Sequence, residues 1–314
     1  MYRNKRVSLV IPAHNEERLI GPTLDGVPPL IDRVFVVDDG SADQTVQIVR
    51  QRAEVDARIE LIQHQGNQGV GQAIITGYWR SSQEGYDLCV VVGGDNQMPF
   101  DQVEDLLDPL LDSGVDYTKG NRFLMPEVGL EDMPLSRFVG NALISIMTKV
   151  SSGYYKLFDV VDGFTAITKR AIDLVDWGQA WKGYGYPMDF LVRLNAYGLK
   201  ARDVPRRAIY LAGERQSQIK GFRYAMRVAP MLVRGFFWRL FTRYLVRDFH
   251  PLFFFYLFGL ILFPLGVVYG MFLSYQQWIG EGVTGPRSVV CALMIIMGIQ
   301  FLLFAMLYDM QESE

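Results

Sequence analysis

Val90 to Asp101 reads VVVGGDNQMPFD. The apolar run that leads into it, Leu88 to Val92, has the length and composition of a buried strand, and it opens into two glycines and then Asp95-Asn96-Gln97. A carboxylate and an amide just past a strand end can face a hard cation and the phosphates it carries. An ordinary Gly-Asp-Asn turn is the plainer account. The elements on either side decide between the two.

Upstream, Val7 to Ile11 reads as a strand ended by Pro12, and Val34 to Val37 as another that runs into Asp38-Asp39-Gly40-Ser41. A short helix starts at Asn15-Glu16-Glu17 and is closed by Pro28-Pro29. Ser41 with Gln44 resembles a capping box for a helix from about Ala42 to Ala53. Ile59 to Ile62 is a third strand, and a turn containing Gly66, Gly69 and Gly71 leads into a helix through Trp79. Downstream, a helix from about Phe100 to Ser113 precedes a strand near Asp116 to Lys119. Strands alternating with helices predict an α/β fold, a mostly parallel sheet covered on both faces. Such sheets bind ligands beyond the carboxyl ends of their strands. Ala13 to Glu16, Asp38-Asp39 and Gly93 to Gln97 all fall at that edge, so one shared site accounts for them better than three unrelated turns. The glycine turn lacks the third glycine of a dinucleotide fingerprint, and no Gly-Lys-Ser/Thr phosphate loop occurs, which argues against NAD binding and P-loop hydrolysis.

The chain has 314 residues, and half of them are hydrophobic. Phe253 to Leu273 and Val289 to Tyr308 carry no charge, and each is long enough to cross a hydrocarbon core of roughly 30 Å. We read them as a transmembrane hairpin rather than buried core helices. The N-terminus has a five-residue apolar run interrupted by Pro12 and is not expected to be a signal peptide. Cys89 and Cys291 are the only cysteines, one in a strand and one in a span, so no disulfide is expected and a reducing compartment fits. Net charge is −3, yet Arg215 to Arg247 holds eight basic residues and no acidic one, leaving the remainder at −11. Arg239, Arg243 and Arg247 repeat every four residues among Phe236, Phe237, Trp238, Phe241 and Tyr244. That pattern predicts basic amphipathic helices at the surface of an anionic membrane. Basic residues beside the first span place this side in the cytoplasm. The adjacent span argues against nucleic acid as a partner. The expected division is 1–215 catalytic, 216–250 interfacial and 251–314 membrane hairpin with a short acidic tail.

Ile11-Pro12-Ala13-His14-Asn15-Glu16-Glu17, Val37-Asp38-Asp39-Gly40-Ser41, Asn67-Gln68-Gly69-Val70-Gly71-Gln72-Ala73 and Asp95-Asn96-Gln97 stand in one order. Lys119-Gly120-Asn121-Arg122-Phe123, Asp162-Gly163-Phe164 and Pro187-Met188-Asp189-Phe190-Leu191 follow. The ordered set resembles family 2 glycosyltransferases of the GT-A fold, and among them the polyprenyl-phosphate glycosyltransferases, the group that contains dolichol-phosphate mannose synthase. The resemblance implies inverting transfer of a sugar from a GDP- or UDP-linked donor to dolichyl or undecaprenyl phosphate. It implies that Pro12, Ala13, Asn15, Glu16, Asp38, Asp39, Gly71, Asp95 and Asn96 bind the nucleotide sugar. Asp95 and Gln97 would hold Mg²⁺ or Mn²⁺ against the diphosphate. Asp95, Asp189 and Arg122 would carry catalysis, and Arg137 and Asn141, one helical turn apart, would take the acceptor phosphate. Assembly as a homo-oligomer is compatible with the sequence.

Three positions depart from the pattern. Gly93 stands where relatives place another aspartate, Val70 where a lysine is frequent, and Met188 where a glutamate is common. A phosphate monoester has its second pKa near about 6, so the acceptor is mostly dianionic at neutral pH and scarcely needs a base. Asp189 is therefore expected to orient groups rather than remove a proton. Two other readings compete: a processive polysaccharide synthase, whose Gln-x-x-Arg-Trp motif is missing, and a catalytically silent binder of nucleotide sugars, which Gly93 makes conceivable.

Overall fold

A computed structural model describes residues 1–124, 135–209 and 221–312, with the course of the helix alone given over 135–141 and 221–223. The chain divides into two compact units, Met1–Phe237 and Trp238–Glu314.

In the first unit, β1 (Val7–Ala13), β2 (Arg33–Asp38), β3 (Ile59–Gln63), β4 (Leu88–Val91), β5 (Tyr117–Asn121), β6 (Thr165–Thr168) and β7 (Ala201–Pro205) form one sheet. Their order is β3-β2-β1-β4-β6-β5-β7. The helices are α1 (Ile20–Asp25), α2 (Thr45–Val55), α3 (Val70–Gln83), α4 (Val103–Asp112), α5 (Leu135–Ser152), α6 (Lys169–Leu174), α7 (Tyr186–Ala196) and α8 (Gly221–Phe241), inside which the unit boundary falls. β1 runs parallel to β2 and β4 and lies between them, with Val10 opposite Phe35 and Val91. A central strand covered on both faces favours apolar side chains, and Val7, Leu9, Val10 and Ile11 are fully buried; the one polar side chain among them, Ser8, is buried with its hydroxyl 2.6 Å from Ser81 Oγ. The two-residue period of the strand divides them between layers. Val10 joins Tyr78, Trp177 and Phe190, whereas Leu9 and Ile11 join Leu106 and Leu107 on the other face. Gly77 lets α3 approach the sheet, because a Cβ there would sit 2.4 Å from Val10 Cγ1.

Among these strands only β6 is antiparallel to its neighbours. Its reversal has a consequence for the site. The segment before it, Asp159 to Phe164, is brought to the edge where β1, β2, β4, β5 and β7 end.

The expected strands are present, and the helix starts shift. No helix forms at Asn15, because the Asn15, Glu16 and Glu17 amides donate to Ser41 Oγ, Thr45 Oγ1 and Asp43 Oδ2; α1 begins at Ile20. The Ser41–Gln44 capping box is likewise absent: Gln44 occupies the N-cap of α2 with no side-chain cap, and Asp43 Oδ1 accepts from Thr45 N–H at 3.0 Å. Ahead of α4, Phe100–Gln102 winds as a single tight turn.

In the second unit, the end of α8 passes into a π-helical stretch, Thr242–Arg247, and then into α9 (Leu252–Trp278) and α10 (Gly285–Glu312). At 27 and 28 residues, both are long and apolar enough to cross a membrane. They pack along small residues seven apart, Gly259 and Gly266 on α9 and Cys291, Gly298 and Ala305 on α10. A Cβ on Gly298 would lie 2.5 Å from the Phe263 amide nitrogen, the close backbone approach that membrane helix pairs rely on.

Arg239 and Arg243 depart from the sequence expectation. Both were to line a lipid-facing stripe with Arg247, yet Arg239 is fully buried. Its two Nη atoms donate to the two carboxylate oxygens of Asp309, each at 2.8 Å, and the Tyr244 and Tyr256 hydroxyls also donate to that carboxylate. Arg243 Nη2 donates to Glu312 O at 3.0 Å. Arg239 and Arg243 thus share a face, but it is turned to the end of α10, and the charge that a sequence shows as unpaired finds its partner 70 residues away.

Candidate active site

The loops after β1 and β2 are laced together. Asn15 adopts φ +56°; its N–H donates to Ser41 Oγ and its Oδ1 accepts from Ala42 N–H, both at 2.9 Å. Asp39 N–H donates to Ala13 O at 2.8 Å. The Asp39 carboxylate accepts from Gln68 N–H at 2.8 Å and Gly69 N–H at 2.7 Å, with His64 Nδ1 at 2.8 Å. Asp39 thus shapes the glycine turn with both oxygens. Asp38 closes the turn after β2 through Ser41 N–H at 3.3 Å. Gly94 brings the loop after β4 against the same place, since a Cβ on it would lie 3.3 Å from Pro12 O and 3.6 Å from Ala13 Cβ. Pro12, Ala13, Asp39 and the Asp95 turn are therefore neighbours.

The glycine turn is gripped from beyond. Gly71 N–H donates to Lys182 O at 2.7 Å, and a Cβ on Gly71 would lie 2.5 Å from Trp181 O. The next amide, Trp181 N–H, donates to Asp189 Oδ2 at 2.8 Å, and Arg193 Nε reaches the same oxygen at 2.7 Å. Arg193 also holds the carbonyls of Asp176 and Gln179. Gly71 and Asp189 thus act on one segment, residues 176–182.

Asp95 sits in a turn of its own. Asn96 takes the left-handed conformation, φ +53°, and Gln97 N–H donates to Asp95 Oδ1 at 3.3 Å. A Cβ on Gly93 would come within 2.9 Å of Asp95 Oδ1, so the glycine leaves the space into which the carboxylate folds. Burial pushes the Asp95 carboxyl above its ordinary pKa, offset in part by the Gln97 amide and the Arg206 charge.

Beyond this turn lies an ion-pair cluster in which Arg122, expected to be catalytic, meets residues to which the sequence reading gives no role. Arg122 Nε and Nη2 donate to the two oxygens of Asp159 at 2.7 and 3.0 Å, and Arg122 Nε lies 3.4 Å from Asp162 Oδ2. Arg206 Nε donates to Asp162 Oδ2 at 2.7 Å. Lys119, fully buried, pairs with Asp203 Oδ1 at 3.0 Å and donates to Asp159 O at 2.6 Å. Burial works to raise the Asp159 carboxyl, but the Arg122 hydrogen bonds and charge outweigh it and hold it below the usual range. Asp162, more deeply buried, is held above that range despite Arg206. Arg122 and Asp162 stand in the ordered motifs, whereas the signal for Arg206 is position: it follows β7 directly, at the carboxyl edge.

Among the described residues, Asp159, Asp162 and Asp203 each have a cationic partner within 4 Å and Asp95 has none. No described group of three His, Cys, Asp or Glu side chains is arranged to hold a metal ion. A partly buried carboxylate without a cation fits a Mg²⁺-type ion, which protein sites bind through one or two carboxylates while water and substrate phosphates complete the shell. Arg137 and Asn141 lie on the course of α5, and their side chains fall outside the described residues.

The sequence model of glycosyl transferase family 2 matches residues 8–175. The chain is 29% identical over 220 residues to the UDP-N-acetylglucosamine--dolichyl-phosphate N-acetylglucosaminyltransferase of Methanococcus voltae, covering 66% of this chain and 87% of that protein. It is 31% identical over 207 residues to the undecaprenyl-phosphate mannosyltransferase of Micrococcus luteus, covering 64% and 82%. Among solved structures, the glucosyl-3-phosphoglycerate synthase of Mycobacterium tuberculosis, in complex with Mn²⁺, UDP-glucose and glycerol 3-phosphate, superposes with a TM-score of 0.53 at 17% identity. That match covers 75% of this chain and 80% of the other, and it speaks for a common GT-A-like fold.

Proposed function

The chain belongs to glycosyl transferase family 2, and from that premise we propose that it moves a sugar from a GDP- or UDP-linked donor to a polyprenyl monophosphate at a membrane surface. The observation that carries this reading is the match to two relatives named for transfer onto dolichyl phosphate and undecaprenyl phosphate. Two long apolar helices after the sheet suit a lipid acceptor whose phosphate stays at the interface. We place the catalytic unit on the cytoplasmic side, as the basic residues before α9 imply.

In the proposed reaction an oxygen of the acceptor phosphate attacks the anomeric carbon on the face opposite the diphosphate. The bond from that carbon to the diphosphate oxygen breaks, its electron pair leaves with the nucleoside diphosphate, and the configuration inverts. Pro12, Ala13, Asn15, Glu16, Asp38 and Asp39 would frame the nucleotide, Asp39 by fixing the glycine turn. Asp95 and Gln97 would hold Mg²⁺ or Mn²⁺, the ions that accompany the Mycobacterium tuberculosis structures. When bound, that ion would neutralise charge on the departing diphosphate.

Arg122 is the described cation best suited to phosphate, since its fork matches two phosphate oxygens as it now matches Asp159. Asp189 would act by position: the oxygen that meets Arg193 also holds the Trp181 amide, which suits an orienting role. The acceptor, already dianionic, asks for no strong base.

The test is transfer of radiolabelled sugar from a panel of UDP- and GDP-sugars to polyprenyl phosphate by purified protein in detergent, with and without EDTA. Product extractable with the lipid, lost with EDTA and lost in Asp95→Ala, is expected. Turnover that Asp95→Ala leaves intact sinks the reading.

A further inference from the structure

Arg206 directly follows β7 and is 6% exposed. Its Nε donates to Asp162 Oδ2 at 2.7 Å, and its Nη1 donates to the carbonyl oxygens of Gln97 at 3.3 Å and Arg207 at 3.2 Å. The stem crosses β5 where Gly120 has no side chain; a Cβ there would meet Arg206 Cδ at 2.9 Å. Asp162 is itself fixed, because Oδ1 accepts from Phe164 N–H at 2.8 Å. In the turn on the other side of Arg206, Asn96 is left-handed, Gln97 N–H reaches Asp95 Oδ1 at 3.3 Å, Gly93 N–H meets Met98 Sδ at 3.2 Å and Gly94 O accepts from Thr23 Oγ1 at 3.1 Å. Arg206 adds a tether at Gln97, so one guanidinium ties the turn after β4 to a rigid carboxylate before β6.

From these contacts we infer that Arg206 is a positioning residue for the cation: with Asp162 it braces the Asp95–Gln97 turn in the conformation that binds a divalent ion. The inference rests on the reading of that turn as a cation site. It also makes a prediction whose sign separates it from charge alone. Arg206 is a positive charge felt by Asp95, so by Coulomb's law its removal strengthens cation binding. A brace predicts the reverse. Partners of this outer kind change metal affinity by roughly 10–100-fold when removed.

The experiment is Mn²⁺ titration of the full-length protein in detergent, followed by electron paramagnetic resonance, with UDP and separately GDP present. Arg206→Met keeps the stem and loses the guanidinium; Arg206→Met with Asp162→Asn strands no buried carboxylate; Arg206→Lys keeps the charge and loses the second arm. Mn²⁺ affinity is expected to fall at least about tenfold in all three, with the double variant no worse than Arg206→Met. Thermal melting identifies any variant that does not fold, and Arg206→Lys is then the one read. Affinity that is unchanged or tighter in the folded variants overturns the brace alone. A wild-type protein that binds no Mn²⁺ with either nucleotide overturns the cation reading and the brace together.

Discussion

Gly71→Ala should damage this protein while Gly66→Ala, five residues earlier in the same turn, should not. A Cβ on Gly71 would lie 2.5 Å from Trp181 O, 2.9 Å from Tyr186 Cβ and 3.0 Å from Lys182 O, all backbone or core atoms that cannot swing away. The segment must retreat, and with it goes the Gly71 N–H bond to Lys182 O, 2.7 Å long. Overpacking costs about 1–3 kcal/mol and a lost hydrogen bond about 0.5–1.5, so a net loss of about 2–4 kcal/mol is expected. For a unit of this size that is a melting shift of about 5–15 °C. Trp181 N–H is also drawn off Asp189, so transfer should fall further than stability does. At Gly66 a Cβ meets nothing within 4 Å, and the change should stay within about 0.5 kcal/mol. Differential scanning fluorimetry in detergent and the transfer assay read both variants. If Gly71→Ala melts with the wild type and turns over normally, the close approach is not a constraint and the reasoning is wrong.

Asp95→Asn should abolish transfer yet raise the melting temperature at neutral pH, since it removes a partly buried, desolvated carboxylate that lacks a cation. The sign follows from its pKa, which is raised in the folded state. The stability this group contributes is present below the unfolded value of about 3.9 and is lost as pH rises through the folded value; a lower melting point in Asp95→Asn would contradict this. For the same reason Mn²⁺ affinity should start to fall, on acidification, at a pH above the usual carboxylate range, and a titration flat down to about pH 4 would refute it. Asp309→Ala should destabilise the second unit by about 3–5 kcal/mol, because Arg239 is left buried and unpaired, and Arg239→Met with Asp309→Leu should recover most of the loss. Thermal unfolding of the single and double variants decides, and equal losses in both would count against the pair. Reporter fusions at Gly282 should report the side of the membrane opposite the catalytic unit; cytoplasmic signals there would overturn the proposed topology.

Strands were legible where burial is two-sided. Val34 to Val37 and Leu88 to Val92 are continuous apolar runs and Val7 to Ile11 is broken only by Ser8, and such runs form the interior of a parallel sheet whatever their neighbours. Helix starts were not, because the side chains that would cap them had rival partners. Ser41 was free to cap α2 by sequence, but the β1 loop presents the Asn15 amide to it at 2.9 Å. Reversal of β6 was equally invisible: Thr165–Thr168 has four residues and no pattern that fixes direction.

The site divides along the same line. Asp38, Asp39 and Asp95 were legible because Asp38 ends β2, Asp39 follows it and Asp95 stands four residues past β4, so local order alone places them at the carboxyl edge. Asp159, Asp162 and Arg206 act through partners up to 109 residues apart, the distance in sequence from Gln97 to Arg206, and although Asp162 lies in a motif, nothing local shows that they pair. Arginine is where the difference is sharpest. Arg239 stood in a basic stripe and reads as a lipid contact, whereas the fold buries it against Asp309. Arg206 drew no reading from the sequence, whereas in the fold Gly120 opens the space that lets it reach Asp162. Sequence gives the sign of a charge, while burial and partner set its role. In both cases a neighbouring residue type carried the missing clue: a lone aspartate near the end of an apolar span for Arg239, and a glycine inside a buried strand for Arg206.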